Sequence, residues 1–560
     1  MTTEDWSLTE AQRADTIARI RANVSAMAFF RAAPLAPELV ETVATAVEKK
    51  AYTVARVEAR TTTGMRPHHE TLKACSRTQT HKRHEVAPSL ITRPHPYPHP
   101  HRNIVQAYVR KLSELVLEVV VSGGQVDGVT PSGPPTDTDT DGTVLDLTGS
   151  REFLTTDTAE ELLAPMLAPG SKIQKIKFST KSFGVDAADV ASKAIRNVSS
   201  TLIDADMSDI IAGRPEDEAL AALRIISEAL STAPLRHLNL SDNALGEKGI
   251  RACAAAFQNQ ESLESIAFQN VGCSVHGCAA VNELLQKTGS LRRLHLLNNM
   301  SGDEGAASIA KILARCPNME DFKMASSRVG AEGGVALANA LSSGGTALIS
   351  LDIHDNPMTS EVAEDLSALI AKHPSMKRLN LNDTCLGDEG VATVAAALVS
   401  AAPVLENLEL ELNEITVEGA EALSTALTQK TALKKLNLRE NELEDDGALA
   451  VARGIAPLTS LQVIDLCTNQ IKRGGACAVA KAVGNKKNLT LLGLDDNEIS
   501  ENGIDALKAI LESSGQIGAL GSLEENMPDE DDEEEEGGEG DEGDAAAVDA
   551  LANELQKEHL

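Results

Sequence analysis

One short pattern of apolar residues recurs along the second half of the chain at an almost constant interval. The pattern is L-x-x-L-x-L-x-x-N, with conservative replacements at some places. Its copies begin 28 or 29 residues apart, at Leu235, Leu263, Leu291, Met319, Leu348, Met376, Leu405, Leu433, Leu461 and Leu489. A period held this tightly predicts a solenoid, in which each unit packs only against its neighbours and several units are needed to bury a core.

The pattern is that of leucine-rich repeats, and it assigns a structure to each part of a unit. The L-x-L centre is a short strand whose alternate side chains face the core, and a helix follows it. The terminal Asn, such as Asn243 or Asn441, is expected to bond backbone groups where the chain turns. Strands on a concave side and helices on a convex side predict an α/β fold, a ribonuclease-inhibitor-like horseshoe.

Flanking segments set the expected domain boundaries. Degenerate units begin near Ile173 and Leu202 and a capping unit near Thr143, so we expect the repeat domain at 143–517. Residues 123–142, rich in Gly, Pro, Ser and Thr, form a linker. Helical apolar spacing in residues 1–122 predicts a small helical domain. The tract 66–103 interrupts that domain with seven histidines and alternating prolines, which favours a disordered insertion, with a metal site as the alternative.

The charge balance narrows the class of partner. The 560-residue chain has a net charge of −32, which disfavours nucleic acid and favours a basic partner. Fourteen residues between 524 and 544 are acidic, which predicts a disordered acidic tail at 518–560. We expect no membrane insertion because no apolar run approaches the ~20 residues of a span. The polar first residues and eight scattered cysteines favour a cytoplasmic location.

The sequence carries no motif of an enzyme. GxxxxGK[ST], HExxH and GxSxG are absent, so we expect neither catalysis by the chain's own residues nor a cofactor. Asp–Asn pairs such as Asp496–Asn497 resemble metal ligands, but they recur because the repeat recurs, and no metal is expected.

The period breaks once, where the units at Leu202 and Leu235 are 33 residues apart. The extra residues precede a helix that is expected to start near Pro215, and Arg214 lies just before it. An Arg at this place either pairs with the carboxylates of the helix start or serves a partner.

The residues at this break resemble those of Ran GTPase-activating proteins. SDIIAGRPEDEALAALRIISEAL followed by LRHLNLSDNALGEKG is similar to that family's second-to-third repeat junction. NNMSGDEGA, RVGAEGGVALA and LNLRENELEDDGA look like the plant and algal branch. LTEAQRADTIARIRANVSAMAFF and QAYVRKLSELVLEVV are similar to the WPP domain of plant members, although Ser7 follows Trp6 where the domain has Pro.

The resemblance implies both a function and its residues. It implies activation of GTP hydrolysis by GTP-bound Ran in trans, in support of nucleocytoplasmic transport and mitosis. The family works without an arginine finger, by ordering the GTPase's own catalytic Gln. Its loop arginine falls on Arg214, and its key asparagine falls on Asn270, one position before the usual repeat Asn, which here is Val271. The expected Ran contacts on the same edge are Asp217, Asp242, Asn243, Asn298 and Asn299.

Further partners and one alternative function follow. The WPP-like segment implies an outer nuclear-envelope location, with WPP-interacting proteins and Ran-binding proteins as additional partners. The residues alone also allow a non-catalytic leucine-rich-repeat scaffold, which would bind a partner without changing nucleotide turnover.

Overall fold

The computed structural model describes residues 142–526, which form the repeat array. The predicted N-terminal helical domain with its 66–103 insertion, the linker up to residue 141 and the tail beyond residue 526 lie outside the described residues. Within the described part, no helix is long and apolar enough to cross a membrane.

Each copy of the repeat pattern forms one short strand, as predicted. Thirteen strands of the described residues pair side by side in a parallel sheet, and β2 and β4 form a separate parallel pair near its start. The strands are β1 (Val144–Asp146), β2 (Glu152–Leu154), β3 (Lys175–Lys177), β4 (Lys181–Phe183), β5 (Asp204–Asp206), β6 (His237–Asn239), β7 (Ser265–Ala267), β8 (Arg293–Leu297), β9 (Asp321–Ala325), β10 (Ser350–Asp352), β11 (Arg378–Asn380), β12 (Asn407–Glu409), β13 (Lys435–Asn437), β14 (Val463–Asp465) and β15 (Leu491–Gly493).

Helices connect the strands and pack side by side in their own layer. They are α1 (Thr156–Leu162), α2 (Ala164–Leu167), α3 (Val185–Asn197), α4 (Glu216–Leu230), α5 (Gly246–Ala252), α6 (Val275–Leu284), α7 (Gly302–Leu313), α8 (Ala331–Ser343), α9 (Ala363–Lys372), α10 (Gly387–Ser400), α11 (Val417–Leu427), α12 (Glu444–Ile455), α13 (Arg473–Val483) and α14 (Glu501–Ser514). Short 3-10 turns lie at Ala254–Ala256, Ser360–Val362 and Ile517–Ala519. The helix expected near Pro215 is α4, and Pro215 is its N-cap.

The pattern leucines form one continuous core between the two layers. The central strand residues, such as Leu408 in β12 and Leu436 in β13, are fully buried. Aligned register stacks each of them on the corresponding residue of the next strand. Because every unit contributes the same apolar set, the core runs the length of the array, as the period predicts.

The terminal asparagines form a buried hydrogen-bonded ladder, as predicted. The side chain of Asn243 accepts a hydrogen bond from the Ile210 amide of the preceding unit and donates to the Met207 and Leu240 carbonyls. Asn356, Asn413, Asn441, Asn469 and Asn497 are buried at the equivalent place. Each amide therefore joins the turn of one unit to the strand end of the unit before it.

The array continues past the predicted boundary at residue 517 to Asn526, the last described residue. The side chain of Asn526 accepts from the Asn497 amide at 3.1 Å and donates to the Leu494 carbonyl at 3.1 Å, as a ladder asparagine does. Leu520 also pairs with Leu492. The sequence pattern hides this half-unit because glycines occupy two of its leucine places.

Acidic residues at some helix starts cap the helix of the next unit. One carboxylate oxygen of Asp388 in α10 accepts from the backbone amides of Thr416 and Gly419 at the start of α11, both at 2.9 Å. Asp303 in α7 accepts from Gly330 and Gly333 in the same way. These bonds satisfy helix amides that have no partner within their own helix.

Candidate functional site

The residue just before each ladder position has a left-handed backbone. Its φ is 58° at Asp242, 52° at Asn270 and 54° at Asn298. Asn and Asp tolerate this conformation better than most residues, which explains why they recur there. We call the full set the rim row: Asp209, Asp242, Asn270, Asn298, Ser326, Asp355, Asp383, Leu412, Glu440, Thr468 and Asp496. It runs along the edge of the sheet where the strands end.

Asn270 is exposed and lies at the centre of a hydrogen-bonded chain along the rim row. Its Nδ2 donates to Oδ1 of Asp242 at 3.1 Å, and its Oδ1 accepts from Nδ2 of Asn298 at 3.1 Å. Its backbone amide donates to the Leu297 carbonyl at 2.6 Å. One side-chain N–H and one oxygen lone pair of Asn270 remain for a partner.

The position of Asn270 before the ladder place is not an irregularity of its unit, because Asp242 and Asn298 occupy the same position. The next residue, Val271, departs from the pattern, because it is buried and has no side-chain amide to contribute to the ladder. The turn that carries Asn270 is instead held from the following unit. Oδ1 of Asn299 accepts from the Val271 amide at 3.3 Å and the Cys273 amide at 2.9 Å.

Two of the expected Ran contacts have a structural role. Asn243 and Asn299 are 1% and 3% exposed, and both amides are saturated by backbone groups. Their side chains are therefore unavailable to a partner in this conformation, and the expectation of direct contact is corrected. Asp242 and Asn298, which are exposed, retain it.

Arg214 lies two units away from Asn270 and faces into the fold. Its guanidinium donates to the Ser182 carbonyl at 2.8 Å, to the Leu154 carbonyl at 3.3 Å and to the Glu218 carboxylate at 3.1 Å. The ring of Phe153 lies 5.1 Å from the guanidinium carbon. Arg214 thus joins β2, β4 and α4, and only the pairing with Glu218 matches the expectation of a surface contact with the helix start.

The helix-start carboxylates next to Arg214 differ in their contacts. Asp217 is exposed in the first turn of α4, so it remains open to a partner. Glu216 forms an ion pair with Lys248 at 2.5 Å. Glu216 therefore has an intramolecular partner, whereas Asp217 does not contribute to that ion pair.

The sheet surface next to Asn298 carries paired charges. Asp321 lies 3.0 Å from Arg293 and 3.2 Å from His295. Burial alone would raise the pKa of Asp321, but His295 and Arg293 lower it to about 2, so it stays ionised. Within residues 142–526, no group of three His, Cys, Asp or Glu side chains is arranged to hold a metal ion.

Towards the C-terminal units the same edge becomes acidic. We call these residues the acidic rim: Asp383, Glu414, Glu440, Glu442 and Asp496. They border an open groove of about 700 Å³. The edge therefore has an amide-rich end around Asn270 and an acidic end.

One exposed apolar residue lies beside the amide-rich end and has no place in the repeat pattern. Met300 is 53% exposed and follows Asn298 by two positions. It falls in the NNMSGDEGA stretch, but the repeat pattern assigns no role to that position. An exposed thioether next to polar amides provides an adaptable apolar contact for a partner.

Comparison with known proteins gives relatives for part of the chain. A model described as Leucine Rich repeat matches residues 233–252, 372–395, 401–424 and 429–452. RAN GTPase-activating protein 1 of Arabidopsis thaliana is 41% identical over 164 residues, 29% of this chain and 30% of the relative. RAN GTPase-activating protein 2 of the same plant is 42% identical over 173 residues, with the same shares.

A third relative shares the repeat architecture. The ribonuclease inhibitor of Sus scrofa is 26% identical over 216 residues, 38% of this chain and 41% of the inhibitor. The chain spans about a third of the length of the two plant proteins it matches. The fold is thus that of leucine-rich-repeat proteins, and the resemblance to Ran GTPase-activating proteins is confirmed over this part of the chain.

Proposed function

We propose that this chain is a GTPase-activating protein for Ran, which accelerates in trans the hydrolysis of GTP bound to Ran. The observation that carries the proposal is the 41% identity over 164 residues with a plant protein named for this activity. The exposed amide of Asn270, held at both ends by neighbouring side chains, supports the assignment of the active edge.

The proposed mechanism uses positioning and no chemistry of the chain's own residues. Phosphoryl transfer to water requires the GTPase's catalytic Gln to orient the attacking water. Asn270 would present its free N–H and carbonyl oxygen to Ran near the nucleotide and hold that Gln in its productive orientation. The guanidinium of Arg214 is engaged within the chain, which supports an activator without an arginine finger.

Long-range electrostatics would bring the partner to this edge. The acidic rim and the net charge of −32 attract a basic surface. Such attraction raises the association rate more than the final affinity, and salt screens it over about 10 Å at 0.1 M. We therefore expect the apparent KM for Ran to rise with salt while kcat changes little.

The test is GTP hydrolysis by an excess of Ran with catalytic amounts of this chain. Asn270→Ala should lower kcat by at least about tenfold, because loss of a positioned group in a transition state typically costs that much or more. Thr468→Ala is the matched control, since Thr468 occupies the same left-handed position far along the rim row. Absence of stimulation by the wild type would refute the function, and equal rates for the two variants would refute the assignment of Asn270.

A non-catalytic scaffold is the second candidate, favoured by the similarity to ribonuclease inhibitor. It predicts binding of Ran or another partner with no change in turnover. Binding and hydrolysis measured on the same samples separate the two functions.

A further inference from the structure

We propose that Asp242 acts through Asn270 and not by direct contact with Ran, as a positioning residue that fixes the orientation of the Asn270 amide. The proposal rests on the proposed function, because it concerns how Asn270 is prepared for Ran. It is carried by the hydrogen-bonded chain Asp242–Asn270–Asn298.

The Asp242 carboxylate fixes which group donates and which accepts at each link of the hydrogen-bonded chain. An ionised carboxylate only accepts hydrogen bonds, so the group that faces Asp242 must be the NH2 of Asn270 and not its oxygen. The oxygen of Asn270 then faces Asn298, whose own NH2 must donate to it. Without a carboxylate at one end, an asparagine pair bonds equally well in either direction.

The arrangement is specific to this end of the edge. The three side chains are exposed, so burial does not restrict their rotamers. Along the rest of the rim row in residues 142–526, one side-chain hydrogen bond joins two neighbouring members, Thr468 and Asp496, and it includes no amide. Only at Asn270 are both ends of an amide engaged by rim-row neighbours in the described chain.

Loss of the carboxylate would leave Asn270 with several conformations. Three χ1 wells and two amide orientations give six states, of which one matches the observed geometry. If all were equally populated, the productive state would fall to about one in six. Because Asp242 does not contact Ran in this proposal, Ran should still bind, and the loss should appear in turnover from the complex.

The experiment measures kcat and KM for stimulation of Ran. Asp242→Ala should lower kcat about sixfold with KM within about twofold of wild type. Asp242→Asn keeps an acceptor oxygen but loses the fixed direction, so about a twofold loss is expected. Asp355→Ala is the matched control, because Asp355 is exposed at the same left-handed position, and its kcat should equal wild type.

A double mutant separates positioning from direct contact. If Asp242 acts through Asn270, then Asp242→Ala should have no further effect on kcat in the Asn270→Ala background. Additive losses, or a rise in KM at unchanged kcat for the single variant, would overturn the proposal. A wild type that fails to stimulate Ran refutes the proposed function instead, which keeps the two failures distinguishable.

Discussion

Replacing Asn299 by Ala should destabilise the array and also reduce activation of Ran. The amide of Asn299 accepts from Val271 and Cys273 and donates to the Phe268 and Leu297 carbonyls. Phe268, Val271 and Cys273 flank Asn270 in the chain, and the Leu297 carbonyl accepts from the Asn270 amide. The variant therefore removes the support under the proposed catalytic edge without touching an exposed residue.

The cost follows from the groups left without partners. Two buried amides lose their acceptor, and each orphaned buried group costs about 1–3 kcal/mol. With partial relaxation and water entry, we expect the free energy of unfolding to fall by about 3 kcal/mol. Asn441→Ala should cost a similar amount, because Asn441 accepts from Asn413 and Ile415 and donates to the Leu410 and Arg439 carbonyls in the same geometry.

The two variants should differ in function. Both are compared by guanidinium denaturation and by stimulation of Ran at a temperature where both are folded. Asn299→Ala should shift Asn270 by about 1 Å, and a displacement of that size should lower kcat by roughly 10- to 100-fold. Asn441→Ala should leave kcat unchanged. Equal kcat losses would show that general destabilisation, and not local support of Asn270, governs activity.

Three further predictions concern the framework. Burial lowers the pKa of Lys486 from 10.5 to about 8. Below pH 8 the buried charge therefore has its full destabilising effect, and the free energy of unfolding should rise between pH 8 and 10.5. Lys486→Met should therefore raise the unfolding free energy at pH 7 by roughly 3 kcal/mol, a gain that vanishes near pH 10.5, while Lys487→Met at an exposed site should not. A Cβ at Gly419 would overlap the capping oxygen of Asp388, so Gly419→Ala should cost about 2 kcal/mol in chemical denaturation, and unchanged stability would contradict the cap. Cys385 is the exposed thiol among the described cysteines, and burial and nearby carboxylates raise its pKa, so alkylation followed by mass spectrometry should be slow at pH 7 and accelerate with pH.

The period of the sequence predicts the framework well because each unit repeats one local solution. Strand centres such as Leu408 and the start of α4 at Pro215 lie where the pattern places them. The half-unit that extends to Asn526 does not show in the pattern, since glycines replace leucines in it and it packs on a completed neighbour. The burial of Arg214 was missed for a similar reason, because its partners Leu154 and Ser182 are distant in sequence.

At the site, too, the features set within one repeat can be predicted from the sequence, and the contacts between adjacent repeats cannot. A family resemblance predicts Asn270 as a site residue, and its left-handed position follows from the repeat. Its bonds to Asp242 and Asn298 depend on the spacing between adjacent strands, which brings residues 28 apart in sequence into contact. No pattern within a single unit contains that information.

The asparagine ladder is interrupted in some units, so resistance to local opening should differ along the array. The ladder is continuous from Asn413 to Asn526, whereas Val271, Ser327 and Thr384 replace its amide in earlier units. In a linear array, stability is a sum of neighbouring interfaces, so local opening should be easiest where a cross-link is absent. We therefore expect backbone amide exchange to be slower at the acidic end than around Asn270, where the surface that meets a partner would have more freedom to adjust.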